Sequence, residues 1–312
     1  MLHGFFLIKY AQIKQSTNGK SYLDLTLADQ TGEINAKKWD LNDQDAEICA
    51  VQTLVKTRAV VNEFKGQMQL KIEKIRAVQK EDGVSMSDFI PSAPESAEAM
   101  YQFILEIVNH MTDTDIKNIV YHILTRFEDR LLTYPGAVKN HHAIRSGLLY
   151  HIKTMLFGAT KMVEVYPYLR ADLLYAGVIL HDMAKILEIE ASDLGIATEF
   201  TIEGHLLGHI IQGVQVITDA AREVNAPQEL TLLLQHMILS HHNLPEYGSP
   251  RYPMFPEAEM LHHLDLVDAR MYDIKNAMDS ALPGQLSDRI WTLENRRVYH
   301  PRFEIAQTTE QE

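Results

Sequence analysis

Cysteine is nearly absent from this chain of 312 residues, in which Cys49 is the single thiol. One thiol excludes an internal disulfide framework and any thiolate cluster, so a metal site would have to use histidine and carboxylate. Cys49 itself reads as structural. Long hydrophobic runs are missing as well: no segment approaches the roughly 20 unbroken apolar residues of a membrane-spanning helix. The start, Met1-Leu2-His3-Gly4-Phe5, lacks the basic leader and apolar core of a secretion signal. Both absences point to a cytoplasmic protein with no membrane partner. A basic excess is missing too, with 29 Lys and Arg against 42 Asp and Glu and a net charge of −13. Residues 1–90 carry 12 of each sign, so the remainder holds the whole deficit. An acidic total does not exclude nucleic acid, because a basic stripe on one domain can bind phosphate whatever the net charge. Histidine is scarce at the start and abundant afterwards: of 15, only His3 precedes His110.

What is present falls into two regions of different periodicity. From Phe5 to about Ala77 apolar residues alternate, as in Leu23, Leu25 and Leu27, Ile34 and Ala36, and Met68, Leu70 and Ile72, which is the period of a half-buried strand. Asn18-Gly19, Asp29-Gln30-Thr31-Gly32 and Phe64-Lys65-Gly66 supply turns between the runs. About five short strands in roughly 75 residues predict a small closed barrel. From Lys80 to Pro94 the pattern dissolves and Pro, Ser and Asp accumulate, so 81–95 reads as a linker. Spacings of three and four then take over, in Met100, Phe103, Ile104, Ile107, Val108 and Met111, and again in Ile116, Ile119, Val120, Ile123, Leu124 and Phe127. Further helices are predicted over about 140–165, 170–187, 203–224, 228–242 and 256–280. The expected organisation is a barrel at 1–80, a linker at 81–95, an all-α bundle at 96–300 and a frayed tail at 301–312.

Within the helical region the apolar run Leu173–Leu180 closes on His181-Asp182, an imidazole and a carboxylate at a buried helix end. Such a pair needs partners, supplied either by structural hydrogen bonds or by a metal ion. His151 follows Ile144 and Leu148 at helical spacing, His209 follows Leu206, His241 follows Leu234, Met237 and Ile238, and Asp265 follows Leu261. Separate helices thus present ligand-type side chains inward. Each alone is more often a satisfied core residue than a ligand, but one or two divalent ions would satisfy all of them together. Nitrogen and oxygen donors with carboxylates fit Mn²⁺, with Fe²⁺ or a related transition metal as alternatives. Asp182 could bridge two ions. His242 is a further candidate, as ligand, as orienting group or as substrate contact, and Asp268 could orient a ligand or cap a helix. His142 and Arg145 are placed roughly 9 to 15 Å along the helix from His151, a distance that suits substrate contact and equally an exposed polar helix start.

These residues resemble the HD-domain superfamily of metal-dependent phosphohydrolases, whose pattern of a His, a His-Asp pair and a later Asp maps onto His151, His181-Asp182 and Asp265. His209 and His241 match the extra ligands of two-metal members. The resemblance places Lys185 at the lysine of His-Asp-x-x-Lys, a cation for the substrate phosphate beside the catalytic Asp182; Ala184 stands where many members have glycine. Two bound ions would activate water and clamp phosphate oxygens in a phosphoester hydrolysis.

In the barrel, alternation turns Tyr22, Lys37 and Trp39 outward, with Arg58 and Lys71 on the same outer surface. Aromatic platforms beside cations suit single-stranded nucleic acid; packing against other parts of the protein is the alternative. The strand count and these placements resemble an OB-fold. A five-stranded OB-fold barrel followed by an all-α HD-domain bundle resembles the YhaM family of bacterial 3′-to-5′ exoribonucleases over nearly the whole chain. The match runs through Lys139-Asn140-His141-His142, Gly147-Leu148-Leu149-Tyr150-His151, Gly204-His205-Leu206-Leu207-Gly208-His209 and Leu239-Ser240-His241-His242. Asn243 stands where glycine is expected. The resemblance implies a manganese-dependent exonuclease acting on single-stranded RNA, with single-stranded DNA a further substrate, as a cytoplasmic homo-oligomer. Two other readings remain open: a nucleotide or cyclic-dinucleotide phosphohydrolase with a regulatory barrel, and a non-enzymatic single-strand-binding regulator.

Overall fold

The computed structural model describes residues 1–303 apart from 17, 30, 31, 43, 44, 65 and 140. The expected turn residues Gln30, Thr31 and Lys65, motif residue Asn140 and tail residues 304–312 lie outside that set. The chain divides into two compact units, Met1–Ser92 and Ala93–Glu312.

In the first unit, β1 (Leu2–Gln15), β2 (Ser21–Asp29), β3 (Gly32–Lys38), β4 (Leu54–Phe64) and β5 (Gln67–Ala77) close into a barrel in the order β1-β2-β3-β5-β4. Gly19 and Gly66 take left-handed φ values of 76° and 79° in the β1–β2 and β4–β5 turns, which glycine adopts without steric cost. Alternation works as expected along β2, where Leu23, Leu25 and Leu27 are buried with Phe6, Ile8, Ala36, Val55, Ala59, Leu70 and Ile72. It fails at the far end of the β4–β5 hairpin. Val61 and Met68 are exposed, because the paired strands run on past the barrel core to Phe64 and Gln67. A one-turn helix, α1 (Asp45–Ile48), precedes buried Cys49. The side chain of Lys38 is buried against the Asp45 carboxylate at 3.5 Å and donates to the carbonyls of Trp39 and Asp40. Part of the stretch read as a linker belongs to this unit: Asp82 accepts from Lys56 and both terminal nitrogens of Arg76, so its charge is met by the barrel rather than by water.

The second unit packs α2 (Ala97–His110), α3 (Thr114–Leu131), α4 (Gly147–Val165), α5 (Ala171–Leu180), the single turn α6 (Lys185–Glu188), α7 (Ile202–Glu223), α8 (Gln228–Ser240) and α9 (Pro256–Asp279) around one core. Ser96, Asp113 and Thr201 accept backbone N–H bonds at the starts of α2, α3 and α7, satisfying donors that a helix leaves unpaired. Seven residues of α5, from Leu173 to Leu180, are buried, which makes it the central helix and places the residue after it in the interior. The unit is not wholly helical. A hairpin of β6 (Ile189–Ala191) and β7 (Ala197–Phe200) interrupts it, too short to leave a readable period. The helix expected from 140 begins only at Gly147, and α7 carries a non-helical residue at Gly208. Among the described residues no helix is long and apolar enough to cross a membrane.

Candidate metal centre

The site forms where helix ends meet. His181 is the C-cap of α5, so its Nδ1–H donates to the Val178 carbonyl one turn back at 2.9 Å. His241 caps α8 in the same way and donates to Ile238 at 2.7 Å. A carbonyl can only accept, so each neutral ring keeps its hydrogen on Nδ1 and turns a bare Nε2 inward. His151, on α4, gives Nδ1 to Asp268 at 2.7 Å. His209 gives Nδ1 to Glu188 at 3.0 Å. Four imidazoles from four elements therefore aim Nε2 at a common point.

Asp182 stands at that point. Its Oδ2 lies 3.3 Å from His181 Nε2 and 3.7 Å from His151 Nε2, while Oδ1 lies 3.4 Å from His209 Nε2 and 3.8 Å from His241 Nε2. Asp265 Oδ1, from α9, closes the first group at 3.4 Å from His151 Nε2. Asp182 Oδ1, His209 Nε2 and His241 Nε2 are buried without a hydrogen-bond partner. Three buried lone pairs facing one another without a partner in the protein are unfavourable unless a cation joins them. The donor set of nitrogen and carboxylate oxygen fits a divalent metal, in which His151, His181, Asp182 and Asp265 form one group and Asp182, His209 and His241 the other. His242 adjoins the second group: it, His209 and His241 offer ligand atoms within 4.8 Å of one another.

Electrostatics agree with that fit. Burial would raise the Asp182 carboxyl, but the Lys185 ammonium, 2.6 Å away, and the surrounding imidazoles hold it well below the usual carboxylate range. Burial pushes His241 far below the ordinary imidazole value, which keeps it neutral. At His151 burial acts downward too, yet Asp265 and Asp268 outweigh it and raise the imidazole to about 10. The pocket draws positive charge to that position, whether a proton or a metal ion.

Other expected residues fall as follows. Lys185 is half-buried and paired with Asp182. His242 is half-buried, with Nδ1 on the Tyr247 carbonyl at 2.6 Å and its backbone N–H on Ser249. The expected position of His142 is corrected: no helix carries it at 9 to 15 Å from His151. The loop before α4 folds back, bringing the ring centres to 5.1 Å and burying His142 with Nε2 2.7 Å from Asp268. Arg145 gives one nitrogen to the Leu194 carbonyl. Glu188, which orients His209, was not foreseen; its only trace in the sequence is a helical spacing of three from Lys185. His141 is half-buried beside the cluster, its imidazole pushed down to about 4 by burial and by Lys185.

In the barrel, Tyr22 and Trp39 stack on each other with ring centres 4.5 Å apart. Lys37 lies over Tyr22 and over Phe64, at 5.2 and 5.7 Å. Phe64 was not among the expected residues, since it sits at the strand end where alternation loses its inner face. Arg58 pairs with Glu73 at 3.0 Å, and Lys71 is exposed on β5.

The HD domain family matches residues 148–270, a span holding His151, the His181-Asp182 pair and Asp265. The 3′-5′ exoribonuclease YhaM of Geobacillus sp. (strain WCH70) is 42% identical, over 96% of this chain and 91% of the relative. The protein of that name from Bacillus subtilis (strain 168) is 41% identical, over 97% and 98%. Among solved structures, the second OB-fold domain of replication protein A from Methanococcus maripaludis is 15% identical, covering 25% of this chain and 82% of that one, with a TM-score of 0.21.

Proposed function

The chain belongs to the YhaM family of 3′-5′ exoribonucleases and is a metal-dependent 3′-5′ exoribonuclease, and from this premise we propose that it shortens single-stranded RNA at a site shared by two divalent ions. The observation that carries the two-ion reading is the division of Asp182, one oxygen toward His151 and His181 and the other toward the unpartnered nitrogens of His209 and His241. Bound ions would supply an activated water and positive charge for the phosphate oxygens during in-line displacement. Lys185 neutralises Asp182 and adds a fixed positive charge beside the phosphate. His242, half-buried at the edge of the cluster, keeps its hydrogen on Nδ1 for the Tyr247 carbonyl and so offers Nε2 as an acceptor for a substrate hydroxyl or as a further ligand. Mn²⁺ suits the donor set, with Fe²⁺ as the alternative. Tyr22, Lys37 and Trp39, with Arg58 and Lys71, form the strand-binding surface of the domain at 1–80, and 96–300 form the hydrolase. The Tyr22–Trp39 stack leaves one outer platform for a base instead of two. Single-stranded DNA is a further substrate. The family also motivates a cytoplasmic homo-oligomer, which sedimentation of the purified chain would check.

Incubation of the full chain with Mn²⁺ and a 5′-labelled single-stranded RNA tests the reading. A ladder shortening from the 3′ end is expected; intact RNA with hydrolysis of small nucleotides, or binding with no hydrolysis, would overturn it. Asp182→Ala removes the shared ligand and should abolish hydrolysis while leaving RNA retention in a filter-binding assay within about twofold of wild type, since the barrel is untouched.

A further inference from the structure

We infer that His142 is a positioning residue for His151, acting through Asp268, and that the loop between α3 and α4 is shaped to hold it there. The inference rests on the reading of His151 as a metal ligand. A single oxygen, Asp268 Oδ2, accepts from His151 Nδ1 and from His142 Nε2, each at 2.7 Å. His142 Nδ1 is buried with no partner, so the hydrogen of the neutral ring belongs on Nε2, where Asp268 receives it. The carboxylate is thereby held between two N–H donors and in turn fixes which nitrogen of His151 carries hydrogen. α9 thus meets both nitrogens of one ring: Asp265 faces Nε2 at 3.4 Å, and Asp268, one turn later, takes Nδ1.

The backbone shows that this placement is built. His142 has φ +56°, a left-handed conformation that costs a residue with a Cβ, although histidine visits it more often than most. Its carbonyl accepts the Gly136 N–H at 2.8 Å, and a Cβ on Gly147 would stand 2.0 Å from that same carbonyl oxygen. Glycine at 147 is therefore what allows the loop to close on His142. Tyr272 and Tyr150 flank the imidazole, with ring centres at 4.1 and 5.5 Å. The donor is directed to Asp268 and shielded from any phosphate, so the strained conformation serves orientation of His151. Carboxylates that hold a ligating imidazole set its tautomer and basicity, and their loss weakens metal binding about 10- to 100-fold.

The test is calorimetric titration of Mn²⁺ into the full chain stripped of metal, for wild type, His142→Gly, His142→Gln, Asp268→Ala and His151→Ala. Glycine relieves the left-handed strain but removes the donor, so H142G should weaken Mn²⁺ binding about tenfold with a melting temperature no lower than that of an alanine at the same position. Glutamine carries an amide N–H about as far out as His142 Nε2, the atom that meets Asp268, so H142Q should stay within about threefold of wild type. D268A, which leaves the loop untouched, should lose at least as much as H142G and serves if H142G does not fold. Wild-type affinity in either H142G or D268A, or equal losses in H142G and H142Q, would overturn the positioning role while loss in H151A upheld the metal site. Unchanged affinity in H151A would overturn both.

Discussion

At the level of single residues, the chemistry is decided by which atom of each side chain is left over after its structural bonds are made. His181 and His241 spend Nδ1 on a carbonyl of their own helix, and that local geometry turns Nε2 to the interior. Asp182, Asp265 and the four histidines were legible because ligand-type residues at core positions of apolar helices have few other uses. Glu188, which binds both the ring and the backbone N–H of His209, was not, because a glutamate on a one-turn helix looks like any exposed acid. Cys49 illustrates the opposite case. Burial, with help from the Asp45 carboxylate, pushes its thiol up to about 11, and the side chain is in the barrel core. A thiol of that kind is neutral and shielded. A disulfide reagent at pH 8 should therefore leave the native protein unmodified over hours and label one thiol once urea unfolds the barrel; fast labelling of the native chain would contradict its burial.

Among the elements, the breaks matter more than the helices. Stopping α5 at Leu180 leaves His181 and Asp182 in a tight turn before α6, and Gly208, at φ 69° and ψ 167°, interrupts α7 so that the His209 N–H reaches Glu188 at 3.0 Å. A side chain with a Cβ resists that conformation, yet within the apolar pattern of 203–224 the glycine reads as ordinary close packing. The ends of α5 and α9 are tied by Glu257, which accepts from the Arg170 backbone N–H at 2.7 Å and from its guanidinium at 3.2 Å. Burial would raise this carboxyl, but the Arg170 bonds outweigh burial and hold it below the ordinary glutamate value. A carboxyl lowered on folding contributes stability above its unfolded pKa and loses it as pH falls toward the folded one. Arg170 is 58% exposed, which limits the pair to about 1 kcal/mol. Glu257→Gln should thus lower the melting temperature at pH 7, and the difference from wild type should shrink as pH drops below roughly 4.3. A difference constant from pH 7 to pH 3, followed by thermal melts, would rule out this linkage.

For the whole molecule, two units with separate cores divide the work by charge: residues 1–90 are balanced, and the rest carries the net −13. Balance in the barrel does not mean bare cations. Lys56 and Arg76 are engaged by Asp82 and Arg58 by Glu73, so Lys37 over its aromatic neighbours is the better base-side contact. Trp39→Ala should therefore weaken binding of a long single-stranded RNA about 5- to 100-fold, the loss of one stacked base, while turnover of a dinucleotide stays within about twofold. Equal losses on both substrates would remove the barrel from RNA binding. The sequence by itself determined the two units and their classes, since a period of two or of three to four follows from which side of a strand or helix must be buried. It also marked the histidines and aspartates, because polar groups at apolar positions stand out. Only the tertiary structure decided the closure of β3 against β5, the fold-back that brings His142 onto Asp268, and the sharing of Asp182 between two groups of nitrogens. Those depend on contacts between residues distant in the chain, which leave no periodic trace.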